Sequence, residues 1–412
     1  MHTLKLGFIG AGFIANNLVE ALKQVRNVEV AVLLERGGAE MLSRKIRDND
    51  LGKAEVVTTI NELCERCDAA AVLAPNFARV EIVEKICESL EGAAELDGII
   101  CEKPLGRTVG EARRMVELAG EAGLDTAYFE NQLHMQSLHN ARKQLEPQMH
   151  EMGPISLARC TQEHSGPHSG WFWDPTRQGG GVLLDMGCHS IAMAQFILTP
   201  PGKAIDFLEP VSVSADVSLL KWGQPEYRDQ LKETMGVDYE QTPAEDYCTG
   251  VITYRNPETG QQLKAEFANS WMYDKTGLKL QADGLGPGYA LEMNTQNSPL
   301  EIFIGDQAAE SVSDADSGME KATASRGLMP MQPNEPDLLG FPAELADARN
   351  AFLNGEDGML NWEFGLHITR LCMAAYLSAE RGMEIDLTDD DVMEELESYK
   401  PLIARGRGKE VL

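Results

Sequence analysis

Leu4-Lys-Leu-Gly-Phe-Ile9-Gly10-Ala-Gly12-Phe13-Ile14-Ala15 runs from a short apolar stretch through two glycines into a segment of helical period. Ile14, Ala15, Leu18, Val19 and Leu22 share one helical face, so residues 13–25 read as an amphipathic helix after a first strand at residues 4–9. Two glycines at such a strand-to-helix turn form a dinucleotide fingerprint. Gly10 permits the tight turn, Gly12 lets backbone approach a pyrophosphate, and small Ala15 lets helix and strand pack closely, while amides near Phe13 and Ile14 face the anion. Glu35, at the end of the second strand and 20 residues after Ala15, is placed to accept hydrogen bonds from ribose hydroxyls, which favours NAD. The adjacent Arg36 offers a partner for a 2′-phosphate and leaves NADP open.

Outward from this turn, apolar runs at 28–34, 56–57, 69–73, 98–101 and 126–129 alternate with helical segments, the pattern of a parallel sheet with helices on both faces. Thr59…Glu62 and Thr108…Glu111 are capping boxes that open two of those helices. Open α/β sheets bind ligands at the carboxyl ends of their strands. Pro75-Asn76 follows the fourth strand there, and Glu102-Lys103-Pro104 the fifth. Lys103 is thereby aimed into the cofactor crevice as a proton-transfer group. Beyond residue 150 the runs read as strands with few helices between them, an antiparallel sheet in a second domain, with Pro257–Gly260 as a turn. Segments 221–246 and 306–337 read as long loops, and helices follow near 342–354 and 362–381. The expected division is a nucleotide-binding domain at 1–130, a substrate and oligomerisation domain at 131–387, and a tail at 388–412.

Gly179-Gly-Gly-Val-Leu-Leu-Asp185-Met-Gly-Cys-His189 passes from glycines into a helix and puts a carboxylate and an imidazole four residues apart on one face. Such a pair binds polyol hydroxyls and relays a proton, or else caps and fills a core. Upstream, Glu163 to Asp174 gathers His164, His168, Trp171 and Trp173, suited to lay aromatic rings and imidazoles over a sugar. No third histidine stands at ligand spacing, so no metal is expected. Cys64-x-x-Cys67 lacks a second pair and reads as two thiols on a helix.

The composition excludes several partners. Lys plus Arg number 36 against 65 Asp plus Glu, a net charge of -29, which repels nucleic-acid phosphates and anionic lipid. No apolar run suggests a membrane span, no leader segment is evident, and eight scattered cysteines fit a reducing compartment, so the cytoplasm is the expected location.

The glycine fingerprint, Pro75-Asn76, Cys101-Glu-Lys103-Pro104-Leu and Gly180-Gly-x-x-x-Asp185-x-Gly-x-His189, in this order, resemble the Gfo/Idh/MocA oxidoreductases; Tyr376 to Gly382 resembles their final helix. The resemblance implies a Rossmann domain followed by an α/β domain with an open, mostly antiparallel sheet, often assembled as homodimers or tetramers. It implies hydride transfer between a nicotinamide cofactor and a sugar or polyol hydroxyl carbon, with Lys103 catalytic and Asp185 and His189 binding substrate and assisting the proton. Arg79 stands where the family often has a histidine. Glu130 and Asn131, in a segment where many members carry an arginine, are further substrate contacts by position. Two readings of the same fold stay open: NAD-dependent oxidation and elimination that cleaves a glycoside, and a non-catalytic dinucleotide-binding subunit.

Overall fold

In the computed structural model the described residues are 2–34, 37–275, 277–297, 301–304, 327–330 and 338–412. Glu35, Arg36 and most of the expected loop at 306–337 lie outside them. The chain divides into two units, Met1–Gln136 with Pro336–Thr369 and Ser137–Glu335 with Arg370–Leu412.

In the first unit, strands β1 (Leu4–Ile9), β2 (Val28–Leu34), β3 (Glu55–Val57), β4 (Ala69–Val72), β5 (Gly98–Glu102) and β6 (Asp125–Phe129) form one parallel sheet in the order β3-β2-β1-β4-β5-β6. The order reverses between β1 and β4, the switch point at which such sheets bind nucleotides. β4 is Ala-Ala-Ala-Val with every residue buried, as a strand covered on both faces requires. Helix packing is close enough that a Cβ on Gly7 would come within 2.6 Å of Leu63 and 2.7 Å of the Cys67 sulfur. The two cysteines of the C-x-x-C are therefore packing residues. Burial pushes the Cys64 thiol up to about 12, so it stays protonated at neutral pH. Both capping boxes form: Thr59 accepts from the Glu62 amide and Thr108 from the Glu111 amide, each at 3.2 Å.

The second unit is built on β7 (Leu157–Glu163), β8 (Glu209–Ser218), β9 (Tyr247–Arg255), β10 (Gln262–Ser270), β11 (Lys279–Gly286), β12 (Tyr289–Asn294) and a short late strand, Ile385–Asp386, which pairs with β8. The sheet is mixed, because β7 and β10 run parallel as neighbours from Leu157↔Lys264 to Glu163↔Ser270. The other neighbouring pairs of the sheet are antiparallel, so it is the open, mostly antiparallel sheet expected. The turn at 257–260 joins the antiparallel β9 and β10, with Gly260 N–H donating to the Asn256 carbonyl at 2.8 Å.

Two further expectations need correction. Segment 221–246 contains a helix, Pro225–Met235, ended by Gly236 at φ 70. Only Leu231 of that helix is buried, so it lacks the apolar stripe that marks a helix in sequence. Residues 388–412 are not a free tail. Asp389 caps a helix at Asp390–Ser398, and Leu402 N–H donates to Glu380 at 2.6 Å. The stretch 175–198, which ends in helix Cys188–Leu198, holds an 18-residue window apolar enough to cross a membrane by length and composition, but 94% of that window is buried inside the protein.

Candidate functional site

The chemistry of the first unit gathers at the carboxyl ends of its central strands. Gly10 adopts φ +128, and a Cβ there would sit 2.7 Å from the Leu73 carbonyl oxygen, so glycine is needed where the β1 turn crosses the end of β4. A Cβ on Gly12 would meet nothing within 4 Å, leaving the opening turn of helix Phe13–Leu22 clear for a ligand's phosphates. Those observations fit the pyrophosphate of a dinucleotide. Pro75 and buried Asn76 follow β4 in a 3-10 turn, Ala78 N–H donating to the Pro75 carbonyl at 2.9 Å.

At the next strand end, Glu102 closes β5 and Lys103 N–H donates to the Phe129 carbonyl of β6 at 3.2 Å. The Lys103–Pro104 peptide is cis. Lys103 is half-buried, whereas Glu102 and Glu130 are buried. Asn131 is committed to structure, its side-chain amide donating to the Leu339 carbonyl at 2.8 Å. Beside them stands Glu344, 1% exposed, with no hydrogen-bond partner on either carboxyl oxygen among the described residues. Burial pushes the Glu102 carboxyl up to about 7 against the pull of Arg79 and Lys103, and burial together with Glu102 and Glu130 pushes Glu344 up as well. Nothing in the local sequence marks Glu344. It lies in a late amphipathic helix, Phe341–Asn354, 214 residues after Glu130 in the chain.

In the second unit the glycine cluster makes close approach possible. A Cβ on Gly180 would lie 2.0 Å from the Tyr376 hydroxyl, and one on Gly181 would lie 2.2 Å from the Glu245 carbonyl oxygen. Glu245 Oε1 accepts from Gly181 N–H (2.9 Å), Leu183 N–H (3.1 Å) and the Tyr376 hydroxyl (2.5 Å). This buried carboxyl thus holds the π-helical turn Leu183–Gly187 that carries Asp185 and leads into helix Cys188–Leu198 with His189. Asp185 Oδ2 accepts from Trp271 Nε1 at 3.2 Å and lies 3.6 Å from His164 Nε2. His164 Nδ1 accepts the Gly166 amide at 2.9 Å, which puts the neutral ring's proton on Nε2, toward Asp185. His164, Asp185 and His189 are all buried.

The aromatic segment divides in two. Trp173 is 2% exposed and packs against Trp222, Tyr239 and Trp271. His168 is exposed, and half-buried Trp171 stacks on Phe172 at 3.8 Å. Sequence therefore grouped four residues of which the structure brings one, His164, to Asp185. It missed Trp271 and Glu245, which stand just after β10 and just before β9; neither lies in a local motif.

Burial raises the Glu245 carboxyl from its ordinary 4.5 to about 7, so the folded chain holds a proton there that the unfolded chain releases. The associated stabilisation is complete below about pH 4.5 and is lost as pH rises to about 7, on the order of 3 kcal/mol. Glu245→Gln should remove that slope, so its stability rises relative to the parent over this range. Urea unfolding at a series of pH values measures it; parallel curves for parent and variant would contradict the assignment.

A parallel nucleotide-type sheet with a glycine turn at its switch point is the architecture of a dinucleotide-binding domain. Residues 4–129 match the oxidoreductase family with the NAD-binding Rossmann fold, and residues 148–284 match the GFO/IDH/MocA C-terminal domain. The chain belongs to the Gfo/Idh/MocA oxidoreductase family. It is 28% identical over 218 residues to the 1,5-anhydro-D-fructose reductase of Ensifer adhaerens, covering 53% of this chain and 62% of that protein, less than two thirds of its length. It is 25% identical over 401 residues to the D-glucoside 3-dehydrogenase of Escherichia coli K12, covering 93% of this chain and 97% of that protein. In fold it is similar to GenD2 from gentamicin A biosynthesis, solved in complex with NAD, with a TM-score of 0.72 at 19% identity over 94% of this chain and 97% of that one.

Proposed function

We propose that this protein is an NAD-dependent oxidoreductase that moves a hydride between the nicotinamide ring and a hydroxyl-bearing carbon of a sugar, sugar derivative or polyol. The observation that carries this reading is that the open glycine turn after β1 and Lys103 after β5 stand at the carboxyl ends of one parallel sheet, with only β4 between them. Gly10, Gly12 and the amides near Phe13 and Ile14 would hold the pyrophosphate, Pro75 and Asn76 the adjoining part of the cofactor, and Glu35 the adenosine ribose. Bound NAD supplies the hydride acceptor. Lys103 takes the hydroxyl proton as the C–H hydride leaves, so the carbinol becomes a carbonyl. Asp185, anchored by Trp271 and His164, binds a substrate hydroxyl, and His189 assists the proton. Names of the relatives support carbohydrates as the substrate class. Eight free cysteines support a reducing compartment, and the family resemblance supports a homodimer or tetramer, which sedimentation measures directly.

The test is NADH formation from a panel of free sugars, methyl D-glucosides, myo-inositol and other polyols, run in reverse with 1,5-anhydro-D-fructose and NADH. Turnover of at least one member is expected. Glycoside cleavage without net cofactor turnover would point to oxidation and elimination instead; NAD binding with no transformation would point to a non-catalytic subunit. Glu35 also predicts tighter binding of NAD than NADP, since its carboxylate repels a 2′-phosphate. Titration calorimetry with both cofactors decides this, and tighter NADP binding would overturn it.

A further inference from the structure

Arg79 begins helix Arg79–Leu90 and is 4% exposed. Its guanidinium is spent on backbone carbonyls. Nε donates to Ala74 O at 3.0 Å, Nη1 to Glu102 O at 2.5 Å and to Pro104 O, and Nη2 to Lys103 O at 3.2 Å. One side chain therefore ties the end of β4, just before Pro75-Asn76, to all three residues of the Glu102-Lys103-Pro104 turn at the end of β5. Three of its four acceptors belong to that turn, so its planar fork fixes the turn's orientation as a single donor would not.

We propose that Arg79 is the positioning residue for Lys103: its fork holds the 102–104 backbone so that the Lys103 amine is presented at the reacting hydroxyl. This inference rests on the proton-transfer role given to Lys103 above. Misplacing a reacting group by about 1 Å costs roughly 10²-fold in rate, and loss of the clamp acts through such a misplacement. Arg79 itself touches no reacting atom.

The experiment is a double-mutant cycle on the full chain. Arg79→Met, Lys103→Met and the double variant are assayed for NADH formation from the panel sugar or polyol that the parent turns over fastest, with NAD affinity and thermal unfolding measured on each preparation. Arg79→Met is expected to lower kcat about 10–100-fold in the parent and by less than about threefold in the Lys103→Met background, because a positioner has nothing left to position. Arg79→Lys keeps the charge without the fork and is expected to fall between parent and Arg79→Met; it replaces Arg79→Met in the cycle if that variant does not fold. Equal losses in both backgrounds, or kcat within threefold of the parent for the Arg79 variant, would overturn the inference while leaving Lys103 in place. Parental turnover by Lys103→Met would instead overturn the reading on which it rests.

Discussion

Lys103→Met is expected to bind NAD with close to parental affinity and to turn over roughly 10²–10⁴-fold more slowly, the usual cost of losing a general acid or base. The substitution keeps most of the apolar stem and removes the amine. Lys103 N–H pairs with Phe129 O through the backbone, a bond the variant retains, and the Arg79 fork grips carbonyls rather than the Lys103 side chain. The turn should therefore survive and the loss fall on kcat. Steady-state turnover at saturating cofactor and substrate, with NAD affinity measured separately, checks this. A variant within a few-fold of the parent would pass the proton-transfer role to His189.

Trp173→Ala is expected to destabilise the second unit by about 3–5 kcal/mol, the range for truncating a buried aromatic. Its ring centroid lies 4.6 Å from that of Trp222 and 5.0 Å from that of Trp271, and its Nε1 donates to the Pro167 carbonyl at 3.0 Å. A Cβ on Gly166 would lie 2.4 Å from the same ring, a measure of how tightly it is enclosed. Trp271 in turn donates to Asp185, so the cavity also loosens the carboxylate proposed to bind substrate. His168→Ala, at an exposed position, should change stability by no more than about 0.5 kcal/mol. Urea unfolding of both variants decides the matter. A Trp173→Ala variant of parental stability and weakened sugar binding would return Trp173 to the sugar-facing role its sequence context suggests.

The nucleotide-type sheet was legible because its information is local. Each strand is a short apolar run, each turn carries its glycine, proline or capping threonine, and the fingerprint spans Gly10 to Ala15. The roles proposed for Lys103, Asp185 and His189 were likewise drawn from compact motifs. What failed to show depends on contacts between distant parts of the chain. Glu344 joins Glu102 and Glu130 only when helix Phe341–Asn354 returns to the first unit. Glu245 meets Gly181 and Tyr376 across separations of 64 and 131 residues, and each partner looks ordinary in its own segment. Trp173 was misleading for the opposite reason: aromatic residues beside histidines read alike in a sugar platform and in a packed core, and burial alone separates them. Glu35 remains a sequence argument for NAD, and Arg36 one that leaves NADP open.

The most direct test of hydride transfer uses methyl D-glucopyranoside deuterated at every ring carbon, together with the equally labelled free sugar and inositol. With NAD and the parent protein, the reading predicts net reduced cofactor carrying one deuterium at nicotinamide C4, in one-to-one yield with a keto product. Release of methanol from the glucoside with no net reduced cofactor, or no transformation of any labelled compound by protein that binds NAD, would contradict it.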